Sequence, residues 1–185
     1  MCCHKSYKDA PLSRRKLMTG LGIIGLSTSL TLTTSALAQV KTPFGTPLPG
    51  ELDSCPVCGM FPERYPDWIA TVLYEDGHAD HFDGAKDMFK YLLDMEKFAK
   101  GRSRDQIAKV GVTDYYATER IDATKALYVI GSDVLGPMGH DLIPHPDEYD
   151  AKEFTKDHLG RRTLTFSEIT MDLLLALDKG EFLVK

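Results

Sequence analysis

Hydrophobic and polar residues follow two different periods between residues 68 and 116. The β-branched and aromatic run Trp68–Tyr74 predicts a strand, and Glu75-Asp76-Gly77 predicts a turn into a short second strand over His78–Phe82. Asp83 can then cap a helix. The apolar residues of this helix recur at helical spacing, at Met88, Tyr91, Leu92, Met95, Phe98 and Ala99. A third strand is predicted over Val110–Tyr116.

The second half of the chain partly repeats this order. A strand, a helix, an extended segment and a last amphipathic helix are predicted at Ala126–Ile130, Asp147–His158, Thr163–Phe166 and Glu168–Leu177. Ser167 or Thr165 can cap the last helix. The sequence therefore predicts an α+β domain built from two similar strand-strand-helix-strand halves.

The first 38 residues have the pattern of an export signal. Arg14 and Arg15 precede a weakly apolar run over Gly20–Thr34, which ends in Ala36-Leu37-Ala38. A basic start, a short apolar middle and a small-x-small end predict a signal peptide cleaved after Ala38. The paired arginines favour the twin-arginine route over general secretion. We expect a periplasmic protein.

The rest of the chain divides into a linker and one domain. Residues 39–53 are rich in Pro and Gly, which predicts a flexible linker, and residues 54–185 are long enough for one domain with a core. No segment after the leader predicts a membrane span. Cys2 and Cys3 fall within the leader and away from its predicted cleavage site, so the sequence predicts no lipid-anchor cysteine.

Net charge limits the partners. Residues 1–38 hold five of the 22 basic and one of the 27 acidic side chains, which leaves 17 basic and 26 acidic side chains and a formal charge of −9. A protein of this charge is repelled by nucleic acids and by anionic membrane surfaces. We therefore expect no nucleic-acid partner. Separately, we expect a monomer or a weak dimer.

Candidate chemistry is concentrated in two loops that we call the Cys loop and the Met loop. The Cys loop, Cys55-Pro-Val-Cys-Gly-Met60, offers two thiols and a thioether within six residues. The Met loop, Gly136-Pro-Met-Gly-His140, offers Met138 in a segment that cannot form a helix face. Soft sulfur ligands suit Cu(I), so the sequence predicts a copper site from Cys55 or Met60 with Cys58 and Met138.

A C-x-x-C pair alone is a weak signal, and two other interpretations stay open. Gly59 stands where a c-type haem attachment needs His, and a structural zinc site needs two more ligands. A structural disulfide is compatible with an oxidising compartment. A thiol–disulfide redox protein is also compatible, although Pro and Gly around the pair leave no helix N-terminus to activate a thiol. His140, two residues after Met138, is either a further ligand or an exposed loop residue.

Taken together, these motifs resemble the NosL family. The resemblance is carried by the Cys loop, Trp68-Ile-Ala, Asp76-Gly77, Phe82-Asp83, Ile121–Gly131, Gly136-Pro-Met-Gly139, Phe154 and Thr163-Leu-Thr-Phe166. It spans roughly Ser54 to Leu177, nearly all of the predicted domain.

This resemblance implies a function. The family comprises periplasmic Cu(I)-binding accessory proteins of nitrous oxide reductase, which are not enzymes. It implies that Cys58 and Met138 are the main copper ligands, with Cys55 and Met60 in support. It also implies that copper passes to a membrane-bound maturation complex and then to a copper-enzyme recipient.

Overall fold

The computed structural model describes residues 42–182. The predicted signal peptide and its cleavage site lie outside the described residues, as does the start of the predicted linker. The remaining linker residues form no helix, but they contact the domain. Thr46 is buried, and the Lys109 ammonium donates to the Phe44 carbonyl at 2.8 Å. The boundary at residue 54 and the flexibility of the linker stay predictions.

The fold is α+β, as predicted. Seven strands lie at β1 Ala70–Tyr74, β2 Ala79–Phe82, β3 Ile107–Thr113, β4 Arg120–Asp122, β5 Leu127–Ile130, β6 Ile143–His145 and β7 Arg162–Thr165. Four α-helices lie at α1 Ala85–Leu93, α2 Met95–Phe98, α3 Glu148–Asp157 and α4 Met171–Leu177. Short 3-10 turns lie at Pro62–Arg64, Pro66–Trp68, Arg104–Gln106 and Phe166–Glu168.

The two halves share one plan. The first sheet has the order β2-β1-β3-β4 and the second the order β6-β5-β7, and every neighbouring pair is antiparallel. In each half the first strand is central, with the second and third strands on either side. The predicted repeat of strand, strand, helix and strand is therefore present, and the first half adds β4 as an edge strand.

Helix α1 lies in the core between the two sheets. Its Phe89 ring packs edge-on against Tyr128 of β5, with centroids 5.1 Å apart, and also contacts Phe166 of the second half. Met88 and Tyr91 are fully buried in the same apolar cluster. Because α1 has the core on several sides, even Lys86 and Asp87 in its first turns are buried.

Several predicted boundaries differ from the structure. Asp83 does not cap α1; Gly84 is the N-cap residue, because the Asp83 carboxylate turns towards Cys58 instead. The predicted long helix is interrupted at Asp94, whose side chain caps α2 by accepting from the Lys97 amide. Trp68 ends a 3-10 turn rather than starting β1. The third strand lies earlier than predicted, over Ile107–Thr113.

Two short strands and one cap were missed. The pattern did not predict β4, and it did not predict β6, which contains Pro144 and pairs with β5 as an edge strand, where proline is tolerated. At the last helix, Thr165 caps the 3-10 turn rather than α4. The hydroxyl of Thr170 accepts from the Leu173 amide and caps α4.

Candidate metal centre

The backbone of the Cys loop closes on itself. The Cys55 amide donates to the Met60 carbonyl at 2.7 Å, and the Gly59 amide donates to the Cys55 carbonyl at 2.8 Å. Gly59 has φ +81°, a conformation that side-chain-bearing residues rarely adopt. This tight turn brings the thiols of Cys55 and Cys58 to one side of the loop.

Both thiols face carboxylates at the start of α1. The Cys58 Sγ donates to Asp83 Oδ1 at 3.1 Å, and the Cys55 Sγ donates to Asp87 Oδ2 at 3.6 Å. One ligand atom from each of these four residues lies within 4.8 Å of the others. Cys55, Asp83 and Asp87 are buried, whereas Cys58 is partly exposed. Among residues 42–182 this is the group of His, Cys, Asp and Glu side chains that could hold a metal ion.

Both cysteines are free thiols in the structure. Burial raises the pKa of Cys55 to about 12, and the charge of Asp87 acts in the same direction. Burial also raises the pKa of Cys58, and hydrogen bonding to Asp83 and Asp87 adds to that rise. Both groups are therefore protonated at neutral pH while no cation is near, and a metal ion must displace their protons.

One atom of the cluster lacks a partner. Asp83 Oδ2 is buried and has no hydrogen-bond partner among the described residues. An unpaired buried carboxylate oxygen is costly, and a cation at its side offsets that cost. The cluster offers two sulfur donors, two carboxylates and one unpaired oxygen. This set of donors suits a bound cation.

The Met loop meets the same helix. Its Gly136 and Gly139 form a tight backbone pair, with N–H···O distances of 2.8 and 3.0 Å. The buried Lys86 of α1 donates to the main-chain carbonyls of Met138 and His140 at 3.0 and 2.7 Å. The fold therefore brings the Met loop, from the second half, to the first turn of α1, next to the carboxylates that face the Cys loop.

The two predicted methionine ligands differ in exposure. Met60 is partly buried at the end of the Cys loop, whereas the Met138 side chain is 46% exposed. An exposed thioether in a glycine-bounded loop is free to turn towards an ion. Copper ligation by Met60 and Met138 stays a prediction, as it does for Cys55 and Cys58.

His140 packs its ring edge-on against Phe182, with centroids 4.9 Å apart. That contact accounts for its position without a ligand role, and His140 is not a member of the thiol–carboxylate cluster.

Asp83, Asp87 and Lys86 were not recognised from the sequence as parts of the site. The sequence predicts Asp83 as a helix cap, and it predicts a helix over Lys86 and Asp87 from the apolar residues around them. No local pattern in the sequence assigns them to the site, because Asp83 precedes the helix and Asp87 lies within it.

The described part of the chain contains no helix that is both long enough and apolar enough to cross a membrane.

Comparison with known proteins identifies relatives of this architecture. The NosL family model matches residues 49–174. Copper-binding lipoprotein NosL of Stutzerimonas stutzeri is 32% identical over 130 residues, which cover 66% of this chain and 64% of that relative, so the match spans less than two thirds of the relative's length.

One solved structure has the same fold. The copper chaperone NosL from Shewanella denitrificans superposes with a TM-score of 0.57 and 23% identity, over 70% of this chain and 98% of that one. Apo-NosL from Achromobacter cycloclastes has a TM-score of 0.39 and 24% identity, over 57% of this chain and 87% of that one.

Proposed function

Because the chain belongs to the NosL family, we propose that it binds copper as Cu(I) at the Cys loop and carries it to a copper enzyme. The observation that carries this proposal is the pair of thiols, Cys55 and Cys58, facing two carboxylates with one unpaired oxygen. Two relatives are named a copper-binding lipoprotein and a copper chaperone. A copper ion is cargo in this account, and the protein is a carrier rather than an enzyme.

The proposed ligands are Cys55, Cys58, Met60 and Met138. Thiolate and thioether sulfur are the soft donors that select Cu(I). Each thiol that binds loses one proton as its sulfur–copper bond forms, and that proton is released to water. The negative charges of Asp83 and Asp87 then stabilise the cation that has replaced the thiol protons.

Delivery requires that the ion can leave. Cys58 is partly exposed and Met138 is more exposed still, so ligands of a partner can approach the ion from the solvent side. Copper can then pass by exchange of one sulfur ligand at a time. Loops are suited to this task because they adapt more easily than the sheets that position them.

Membership of the family supports a proposal for the route and the recipient. We propose export across the inner membrane by the leader, cleavage after Ala38 and action in the periplasm. The proposed recipient is nitrous oxide reductase, with a membrane-bound maturation complex as the intermediate partner. The formal charge of −9 after the leader favours a protein partner with a basic surface.

The redox alternative is disfavoured by the thiol environment. Thiol–disulfide catalysts depend on a lowered cysteine pKa, because the thiolate is the nucleophile. Here burial raises the pKa of both Cys55 and Cys58, and carboxylates rather than cations lie beside them. A cation would reverse this electrostatic balance, which is the behaviour expected of a metal site.

Anaerobic titration of the reduced protein with Cu(I), against a competing chelator, tests the proposal. We expect about one tightly bound ion per chain, and a loss of affinity of at least about 100-fold in Cys58→Ser, because a hydroxyl is a poor Cu(I) ligand. Ser103→Ala, an exposed substitution outside the thiol–carboxylate cluster, is the control and should leave affinity unchanged. Full affinity in Cys58→Ser would exclude the proposed site.

A further inference from the structure

Lys86 is a buried lysine at the start of α1. It is 1% exposed and lies in the first turn of α1. Its ammonium donates to the carbonyls of Met138 and His140 and pairs with Asp178 at 3.0 Å. These three contacts match the three donors of an ammonium group. Burying an ammonium costs desolvation free energy, so these contacts indicate that Lys86 has a specific role.

A second contact fastens the same loop to the same helix. The buried Asp141 carboxylate accepts the backbone amides of Lys86 and Leu142, each at 2.8 Å. Gly84, the N-cap residue of α1, has no side chain to satisfy the helix start, so Asp141 from the second half supplies the cap. A side chain at position 84 would collide with Asp141.

These contacts hold the Met loop by its main chain. Lys86 binds two carbonyls and Asp141 follows the loop directly, so residues 138–141 are fixed on the first turn of α1. The start of α1 also carries Asp87, and Asp83 lies just before it; these two carboxylates accept hydrogen bonds from the two thiols. Meanwhile the Met138 side chain stays 46% exposed. The backbone of the loop is fixed, and the thioether is left free.

We propose that Lys86 is a positioning residue for copper binding, which holds the Met loop so that the Met138 thioether reaches the ion at the Cys loop. This inference rests on the proposed function, because it requires Met138 to be a ligand. Lys86 does not bind the ion, since an ammonium has no free electron pair. Asp178, just after α4, pairs with Lys86 at 3.0 Å and with Lys90 at 2.7 Å, and its carboxylate offsets the charge of the buried Lys86 ammonium.

The test is a double-mutant cycle on Cu(I) affinity, measured by anaerobic competition with a chelator. Lys86→Met should lower affinity by about 10- to 100-fold, the range typical for residues that orient metal ligands. In a Met138→Ala background the same substitution should change affinity by less than about twofold, because the ligand that Lys86 positions is gone. X-ray absorption of the copper-loaded protein should show one sulfur neighbour fewer in Lys86→Met.

Control variants separate positioning from charge and folding. Lys125→Met removes a lysine that pairs with Asp122 on the surface, and it should leave affinity unchanged. Thermal unfolding of each metal-free variant checks that it is folded. If Lys86→Met does not fold, Asp178→Asn is used instead, because that side chain is 37% exposed. It should weaken binding by a smaller factor, again only when Met138 is present.

Each outcome decides a different question. An equal loss in both backgrounds, or no loss in the wild-type background, overturns the role of Lys86 while copper binding by Met138 stands. Full affinity in Met138→Ala removes Met138 as a ligand, and the positioning role is overturned with it.

Discussion

At the scale of single residues, the thiols of Cys55 and Cys58 are the groups on which the account depends. They are held 3.6 and 3.1 Å from carboxylate oxygens, so each has a ready acceptor for its proton. Without a cation, burial and negative neighbours keep both sulfurs protonated. With a cation, the same carboxylates become favourable neighbours. In the proposed site, copper uptake is therefore coupled to proton release.

This coupling predicts a steep pH dependence of copper affinity. Because the pKa of each thiol is raised, both are protonated between pH 6 and pH 8, and each bound thiolate costs one proton. The apparent Cu(I) association constant should rise about 100-fold per pH unit in the wild type, and about tenfold in Cys58→Ser. Chelator competition at several pH values measures both slopes.

Met138→Ala is the control for that experiment. A thioether carries no proton, so this variant should bind more weakly at every pH while its slope equals that of the wild type. A wild-type affinity that does not change with pH would contradict thiolate ligation.

At the scale of secondary-structure elements, α1 organises the molecule. Asp87 in its first turns and Asp83 just before it contact the Cys loop. Lys86 contacts the Met loop, and its backbone amide donates to Asp141, which follows that loop. The later turns of α1 pack into the core through Phe89. A helix anchored in the core is a rigid support, and rigid supports position sites more precisely than loops do.

Gly84 tests how closely the second half approaches this helix. Its φ of −177° is extended and suits any residue, so the effect of Gly84→Ala is steric. The new methyl group meets the Asp141 carboxylate, and we expect a loss of about 1–3 kcal/mol in the free energy of unfolding, measured with denaturant.

Gly50→Ala is the matched control, because a methyl group there makes ordinary contact with Asp53. It should stay within about 0.5 kcal/mol of the wild type. Equal stability of Gly84→Ala and the wild type would show that Asp141 does not sit tightly on the helix start.

The elements also show what sequence patterns can and cannot predict. Strand β1 and helix α3 were predicted because a β-branched and aromatic run and a capping Asp147 are local signals. Strand β6 was missed because Pro144 argues against a strand unless the edge position is known. The contact between Lys86 and Asp141 was missed because the two residues are 55 positions apart in the chain, and no local pattern predicts such a contact.

At the scale of the whole molecule, the proposed site is shared between the two similar halves. The Cys loop and its carboxylates belong to the first half, and the Met loop belongs to the second. Neither half alone would hold the full set of sulfur donors. Their joint core, in which α1 contacts both sheets, keeps the two loops at one place.

The same view explains which parts of the site could be predicted from the sequence. The sulfur residues are rare and lie in Gly- and Pro-shaped loops, so Cys58 and Met138 were recognised as candidates without a structure. Their association with α1 depends on how the halves pack. That packing cannot be read from local sequence patterns and is known only from the three-dimensional structure. The structure matches a solved NosL structure with a TM-score of 0.57.

The most direct test of the central claim, a Cu(I) site made from both halves, is anaerobic titration of Met138→Ala beside Leu135→Ala. Leu135 directly precedes the Met loop and is 57% exposed, so its truncation removes a similar exposed side chain without sulfur. The account predicts about one Cu(I) per chain for both variants, with affinity lowered at least about tenfold only in Met138→Ala. Equal affinities for the two variants would contradict a site that spans both halves.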